Sequence, residues 1–162
     1  MNNLRRCLLA LACLVTCGPA LAATGFDAVA GPTVTSAERA TTAAFASVFG
    51  DRPYDDTIHF EPIATLGWID AHHTYRENLH HQVFIAGGGV RIVSGSHHWF
   101  VSEQLGATST RTDALSSRFE FMTGAGWEDG HFIAMLQHIS NGRLIGGGKN
   151  LGETMLLAGV RF

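Results

Sequence analysis

The sequence has few of the residues that stabilise small secreted proteins covalently. All three cysteines (Cys7, Cys13 and Cys17) lie in the first 17 residues, which excludes disulfides and thiolate chemistry from the rest of the chain. Beyond this segment, no apolar run reaches the ~20 residues that a membrane-spanning helix needs. Basic residues form no stripe, so the composition argues against a nucleic-acid partner.

The first 22 residues have the form of a secretory signal peptide. Two arginines precede the apolar run 7–15, and the Ala-Leu-Ala at 20–22 has the small-x-small pattern of a signal-peptidase site. A weaker alternative is a lipoprotein site, which residues 14–17 loosely resemble. Cleavage leaves residues 23–162, a length typical of one domain, with nine basic residues against 14 acidic ones.

Alternation of apolar and polar residues recurs along the remaining chain. One face of each segment is apolar and ends in aromatic residues, while the other is charged or glycine, which is typical of a membrane barrel. Short and long connections also alternate. We therefore predict an all-β fold, an eight-stranded antiparallel transmembrane barrel of outer-membrane type. The predicted strands are 25–35, 41–49, 57–69, 81–93, 97–107, 116–127, 131–142 and 153–162.

Two parts of this prediction carry further detail. The segment 37–49 could equally form a short amphipathic helix.

With ~8 strands, side chains fill the barrel interior and leave no pore. The inward-facing charges are balanced in sign, and we expect them to pair because buried charges need partners. They are His59, Glu61, Arg91, Arg118, Glu120 and Arg161.

A histidine, a serine, an amide and a carboxylate lie close together near the C-terminus. His138 and Ser140 share the face of Leu136, so both point outward near one end of their strand. Asn141 follows directly, and Glu153 begins the next strand at the same height. In the logic of a serine triad, these residues supply nucleophile, base, orienting acid and oxyanion donor. A histidine and a serine at this spacing are more often residues of the barrel rim without a chemical role than parts of a catalytic site.

The segment Gln137-His138-Ile139-Ser140-Asn141-Gly142, with Asn150 and Glu153 after it, resembles the signature of the lipid A deacylase (PagL) family. Weaker similarity extends over 57–162. The resemblance implies an outer-membrane serine esterase that removes an ester-linked acyl chain from lipid A. By position, Ser140 matches the nucleophile, His138 the base, Glu153 the orienting acid and Asn141 an oxyanion contributor.

Glu153 departs from this pattern. It lies one position out in loop length, and its parity with Phe162 points it into the barrel. A bulge at the strand start would turn it outward. The nearest other acids, Glu128 and Asp129, lie at the wrong end of the strands.

The remaining expectations concern ligands and partners. Arg143 and Lys149 could pair with lipid A phosphates, or be ordinary loop charges. Neighbouring histidines on a strand point to opposite faces, so the pairs at 72–73, 80–81 and 97–98 rarely bind a metal by themselves. The first two pairs flank one external loop and could share a metal, but we expect no metal and no cofactor. Lipopolysaccharide and outer-membrane lipids are the expected partners. The sequence leaves open a homodimer, a non-enzymatic structural or adhesive barrel, and a soluble lipocalin-like carrier.

Overall fold

The structure is a computed structural model that describes residues 25–37, 39–50, 52–53, 58–72, 74, 78–94, 98–142 and 149–162. No helix able to cross a membrane is found in this part of the chain. The strands are β1 (Gly25–Val34), β2 (Ala40–Phe49), β3 (Arg52–Pro53), β4 (Ile58–Ile69), β5 (Val83–Ser94), β6 (Trp99–Thr108), β7 (Phe119–Asp129), β8 (Phe132–Ser140) and β9 (Glu153–Arg161).

The eight long strands form one closed antiparallel barrel. Neighbouring strands pair in the order β2-β1-β9-β8-β7-β6-β5-β4, and the pairing of β2 with β4 closes the sheet. The predicted eight-stranded architecture is therefore confirmed. In the described part of the segment 37–49 the chain forms strand β2 in place of the alternative helix, because its alternation places Phe45, Ser47 and Phe49 inside the barrel. The two-residue strand β3, which pairs with β4, is not predicted by the sequence pattern.

The connections define two ends of the barrel. The connections 35–39, 70–82, 109–118 and 141–152 join strands at one end, called the loop end below. The opposite end, called the turn end, has the two-residue turn Gly130–His131, the connection from β2 to β4 that contains β3, the start of β1 and the end of β9. Gly130 has a φ of 57°, a left-handed value that glycine adopts without steric cost. The predicted turn at 93–96 falls partly outside the described residues.

The barrel wall is apolar on its outer surface. Every long strand exposes large hydrophobic side chains, including Phe84 (58% exposed), Leu136 (55%) and Leu156 (63%). Aromatic residues are concentrated at the turn end, where Trp99 and Phe132 are exposed. A water-soluble carrier would bury such residues, so this distribution argues against the lipocalin-like alternative and is typical of a wall that faces lipid.

The turn-end half of the interior contains an ionic cluster. Its members are Asp27, Glu61, Arg91, Glu128 and Arg161. Arg91 donates from Nη1 to Asp27 at 2.7 Å and from Nε to Glu61 at 2.5 Å. Arg161 donates to Glu61 at 2.9 Å and also to Glu128. Because each carboxylate accepts from a guanidinium, the cluster compensates the desolvation of its charges.

The middle of the interior is filled by a neutral polar network. The hydroxyls of Ser47 and Thr65 lie 2.9 Å apart, and Thr65 donates to Oε1 of Gln104 at 2.7 Å. An internal cavity bordered by these side chains and by Arg91 measures about 20 Å³. This is about the volume that one water molecule needs, so side chains fill this part of the barrel.

Two residues depart from the predicted set of inward charges. Arg118 is exposed, because it precedes the first residue of β7 and so lies outside the strand alternation. The prediction that it pairs inside the barrel is wrong. Glu120 is fully buried, but its Oε1 accepts from the Ser117 backbone N–H at 2.8 Å, and no arginine of the described chain pairs with it. Asp27 and Glu128 complete the cluster instead.

We predict that Arg91→Leu lowers the free energy of unfolding by about 3–5 kcal/mol, because it leaves buried carboxylates without their counter-charge. The measurement is urea unfolding in detergent micelles, followed by tryptophan fluorescence. Arg118→Leu is the matched control, since the same change at an exposed site should stay within about 0.5 kcal/mol of wild type. Equal effects of the two substitutions would contradict the assignment of Arg91 to a paired interior cluster.

Candidate active site on the outer wall

His138 lies on the outer face of β8 near the loop end. It is exposed and shares this face with Leu136 and Ser140. In the register of β8 with β9 it pairs directly with Thr154, and its Nδ1 lies 3.0 Å from Oγ1 of Thr154. Thr154 therefore holds one nitrogen of the imidazole and leaves Nε2 for another partner.

Gly152 determines where the other edge of the ring lies. A Cβ atom at this position would be 2.8 Å from Cε1 and 3.2 Å from Nε2 of His138, so the imidazole packs against bare backbone. The φ of Gly152 is 68°, which also favours glycine. Gly152 directly precedes Glu153, which forms the last β8–β9 pair with Ile139 at the loop end. The Cε1–Nε2 edge of the ring therefore lies on the loop-end side of His138, the side on which Ser140 also lies.

Ser140 is the last residue of β8 and is half-buried on the same outer face. Its partner across the sheet is Phe121 of β7. Two residues on one face of a strand are ~7 Å apart along the strand. The structure thus brings the predicted base and the predicted nucleophile onto one face of one strand.

Glu153 does not join them. It pairs with Ile139, faces the interior and is 2% exposed. Its Oε1 lies 2.8 Å from Nε2 of His72, and its Oε2 accepts from the Thr33 hydroxyl at 2.5 Å. The β8–β9 register is continuous at this point, so no bulge turns the carboxylate outward. The structure therefore places the predicted orienting acid on the opposite side of the wall from His138.

Asn141 also faces the interior. It is 1% exposed, and its Nδ2 donates to Oγ of Ser116 at 2.9 Å. Asn141 follows the last residue of β8, and its contact with Ser116 lies inside the barrel, on the other side of the wall from Ser140. Its side-chain amide is consequently not presented to the outer face, where an oxyanion at Ser140 would form.

The predicted phosphate-binding residues lie in the connection from β8 to β9. Lys149 is exposed, and its Nζ lies 3.4 Å from Oδ2 of Asp113. An exposed pair of this kind is weak and can exchange for another anion. Arg143 lies outside the described residues. The rings of His80 and His81 are tilted to one another with centroids 4.3 Å apart, and within the described chain no three metal-binding side chains form a cluster.

An open groove of about 430 Å³ crosses the outer wall beside His138. Its lining is mostly apolar and includes Val90, Val101 and Leu136, with His138 and Thr154 at one side. An elongated apolar ligand would have contact with the imidazole along this groove.

Thr154 and Gly152 are the contacts of His138 that the sequence reasoning missed. The parity of Thr154 with Leu156 already indicates that it faces outward, so the alternation of β9 could have identified it. The contact of Gly152 with the ring depends on its left-handed backbone and has no signal in the alternation.

Comparison of the chain with models of known protein families, with characterised proteins and with solved structures gives no match. The resemblance of the segment around His138 and Ser140 to the lipid A deacylase family therefore stays a prediction.

A double-mutant cycle tests the interior position of Glu153. We predict that His72→Ala and Glu153→Gln are coupled by about 0.5–3 kcal/mol in the free energy of unfolding, because the two side chains share a buried contact. The matched cycle of His138→Ala with Glu153→Gln should be additive within about 0.5 kcal/mol. Urea unfolding of the wild type, the three single variants and the two double variants gives both values. If Glu153 proved to be coupled to His138 and not to His72, its carboxylate would lie on the outer face of the barrel.

Proposed function

We propose that this protein is an outer-membrane esterase that removes an ester-linked acyl chain from lipid A, with Ser140 as nucleophile and His138 as base. The observation that carries the proposal is the position of these two side chains on an apolar outer wall, with the Nε2 edge of the imidazole on the side of His138 on which Ser140 also lies.

The distribution of polarity supports residence in a membrane. The outer wall is apolar along every long strand, and the charges of Arg91 and Arg161 are paired inside. This arrangement is typical of outer-membrane barrels, in which the longer loops face the exterior. The signal-like residues 1–22 support the same compartment. With the loop end outside, His138 and Ser140 lie near the outer-leaflet headgroups.

The proposed reaction follows the serine esterase scheme. Oγ of Ser140 attacks the ester carbonyl carbon while Nε2 of His138 takes the hydroxyl proton. The imidazolium then gives this proton to the departing alkoxide oxygen of the sugar, which leaves as a hydroxyl while the acyl group stays on Ser140. The same imidazole next deprotonates a water molecule that attacks the acyl-enzyme, and this proton passes to Oγ of Ser140 as the fatty acid is released. A nucleophile on the outer wall reaches the ester without extraction of the lipid from the membrane.

Thr154 takes the position that a triad gives to its orienting group. If Nδ1–H of His138 donates to Oγ1 of Thr154, Nε2 is the unprotonated nitrogen that accepts the proton from Ser140. A hydroxyl orients the imidazole but, unlike a carboxylate, adds no charge that stabilises the imidazolium. In this arrangement the role of Glu153 is structural, because its contacts inside the barrel fix the position of the first residues of β9.

Charge at the loop end supports lipid A as substrate. Lys149 is exposed beside the connection that follows Ser140 and would pair with a phosphate in exchange for Asp113. We assign the same role to Arg143.

The alternative is a non-enzymatic barrel with a structural or adhesive role. The interior positions of Glu153 and Asn141 favour it, because a triad with an oxyanion donor would need both outside. The two proposals differ in whether the hydroxyl of Ser140 has any chemical consequence.

Ser140→Ala and His138→Ala should each abolish release of fatty acid from lipid A, because the first removes the nucleophile and the second leaves the hydroxyl a weak attacker. Mass spectrometry of lipid A from cells that express each variant gives the result. Thr42→Val, a comparable loss of a hydroxyl on another exposed site of the barrel, should leave the activity unchanged. A Ser140→Ala protein with wild-type activity would refute the esterase and favour the non-enzymatic barrel.

Thr154→Val and Glu153→Gln separate the two candidate orienting groups. We expect Thr154→Val to lower kcat by roughly 10-fold or more, because the imidazole loses the contact that fixes its tautomer. Glu153→Gln should lower the stability while the folded fraction retains most of its kcat. Heat-modifiable gel mobility measures the folded fraction, and initial rates of fatty-acid release measure kcat. The reverse result would make Glu153 the orienting acid and require a rearranged start of β9.

A further inference from the structure

The outer faces of four adjacent strands each carry a polar residue within an apolar stretch. On β6 this residue is Glu103, flanked on the same face by Val101 and Leu105. The corresponding residues of β7, β8 and β9 are Thr123, His138 and Thr154. Their neighbours on the outer face include Phe121, Ala125, Leu136 and Leu156.

These four residues lie side by side. The strand registers pair Glu103 with Thr123, Thr123 with His138, and His138 with Thr154. We call them the polar row. Its ends are apolar, since Glu103 pairs with Val90 on β5 and Thr154 with Val34 on β1. The row therefore forms one continuous polar line across an otherwise apolar wall.

Hydrogen bonds divide the polar row into two pairs. Thr123 Oγ1 donates to Oε2 of Glu103 at 2.7 Å, and the second pair is His138 with Thr154. In the part of the chain that the structure describes, no basic side chain forms an ion pair with Glu103. Within the row, His138 is the group that can acquire a positive charge.

From β9 to β6, the residues of the polar row lie progressively farther from the loop end of the barrel. Thr154 is the second residue of β9, counted from the loop end. Glu103 is the fifth of the ten residues of β6, counted from the turn end, and so lies in the middle of its strand. Three strand spacings of ~4.8 Å along a line inclined by ~40° place Glu103 roughly 9 Å deeper than Thr154. A carboxylate at such a depth on a lipid-facing wall is unfavourable, and ionisable residues in this environment usually mark functional sites.

Resting on the esterase proposed above, we propose that Glu103 is a positioning residue of the site, whose carboxylate stabilises the imidazolium that His138 becomes during the reaction. The proton moves from Oγ of Ser140 to Nε2 of His138, and Glu103 takes no part in the proton transfer. Two strand spacings separate Glu103 from His138, so the carboxylate acts through space.

The surroundings of Glu103 favour an electrostatic interaction of its carboxylate with the imidazolium of His138. The adjacent outer-face residues are apolar, so the electrostatic interaction is less screened than in water. Thr123 fixes the carboxylate on the side of β6 that faces His138. Glu103 thus supplies, on the outer face, the negative charge that Glu153 cannot supply from the interior.

The test is Glu103→Gln, which keeps the shape of the side chain and removes its charge. With lipid A in mixed detergent micelles, we expect kcat to fall on the order of 10- to 100-fold and KM to stay close to wild type. Glu103→Asp keeps the charge and should restore most of kcat. The control is Leu66→Gln, which places an amide on the distant outer face of β4 and should leave kcat unchanged. Heat-modifiable mobility gives the folded fraction of each variant.

Wild-type kcat in Glu103→Gln, with Ser140→Ala inactive, would overturn this inference and leave the esterase proposal standing. Equal losses in Glu103→Gln and Glu103→Asp would also overturn it, because charge would then not be the cause. Activity in Ser140→Ala would instead refute the esterase itself. Should Glu103→Gln not fold, Thr123→Val retains the carboxylate without its donor and should lower kcat several-fold. Wild-type kcat in this variant would count against the inference.

Discussion

The two-residue period of a strand in a closed barrel is the constraint on which this structure depends. Each strand residue faces either the interior or the outside, and a neighbour in sequence takes the opposite side. This rule separates Thr154 from Glu153. It also aligns His138 with Ser140, so that a base and a nucleophile share an apolar surface. The chemistry available on the outer wall is therefore limited to residues of one parity.

Contacts between polar groups inside the barrel fix the backbone that carries the residues of the outer surface. The cluster around Arg91 connects β1, β4, β5, β7 and β9 at the turn end, through carboxylates and guanidiniums from separate strands. At the loop end, Glu153 connects Thr33 of β1 with His72 of the connection after β4. Because Thr154 follows Glu153 in the chain, these interior contacts fix the backbone from which the outer partner of His138 projects.

The sequence predicts the barrel well because alternation and connection length are local signals. It also places His138 and Ser140 on one face by parity alone. Parity likewise points Glu153 inward, and the structure has no bulge to reverse this. The alignment of Glu103 with Thr123 and His138 could not be predicted, because it depends on the registers of two strand pairs. Arg118 was misplaced because the alternation does not define where β7 begins.

Closure of the barrel also limits how two copies of this protein can associate. Each of the eight long strands is hydrogen-bonded to a neighbour on both sides, so none of them offers a free edge for pairing with another chain. Two copies can meet along these strands only through outer-wall side chains. A contact centred on β6–β9 would shield His138 from lipid, whereas one centred on β2 and β4 would leave it accessible. The angular position of a homodimer contact thus determines whether assembly masks or preserves the site.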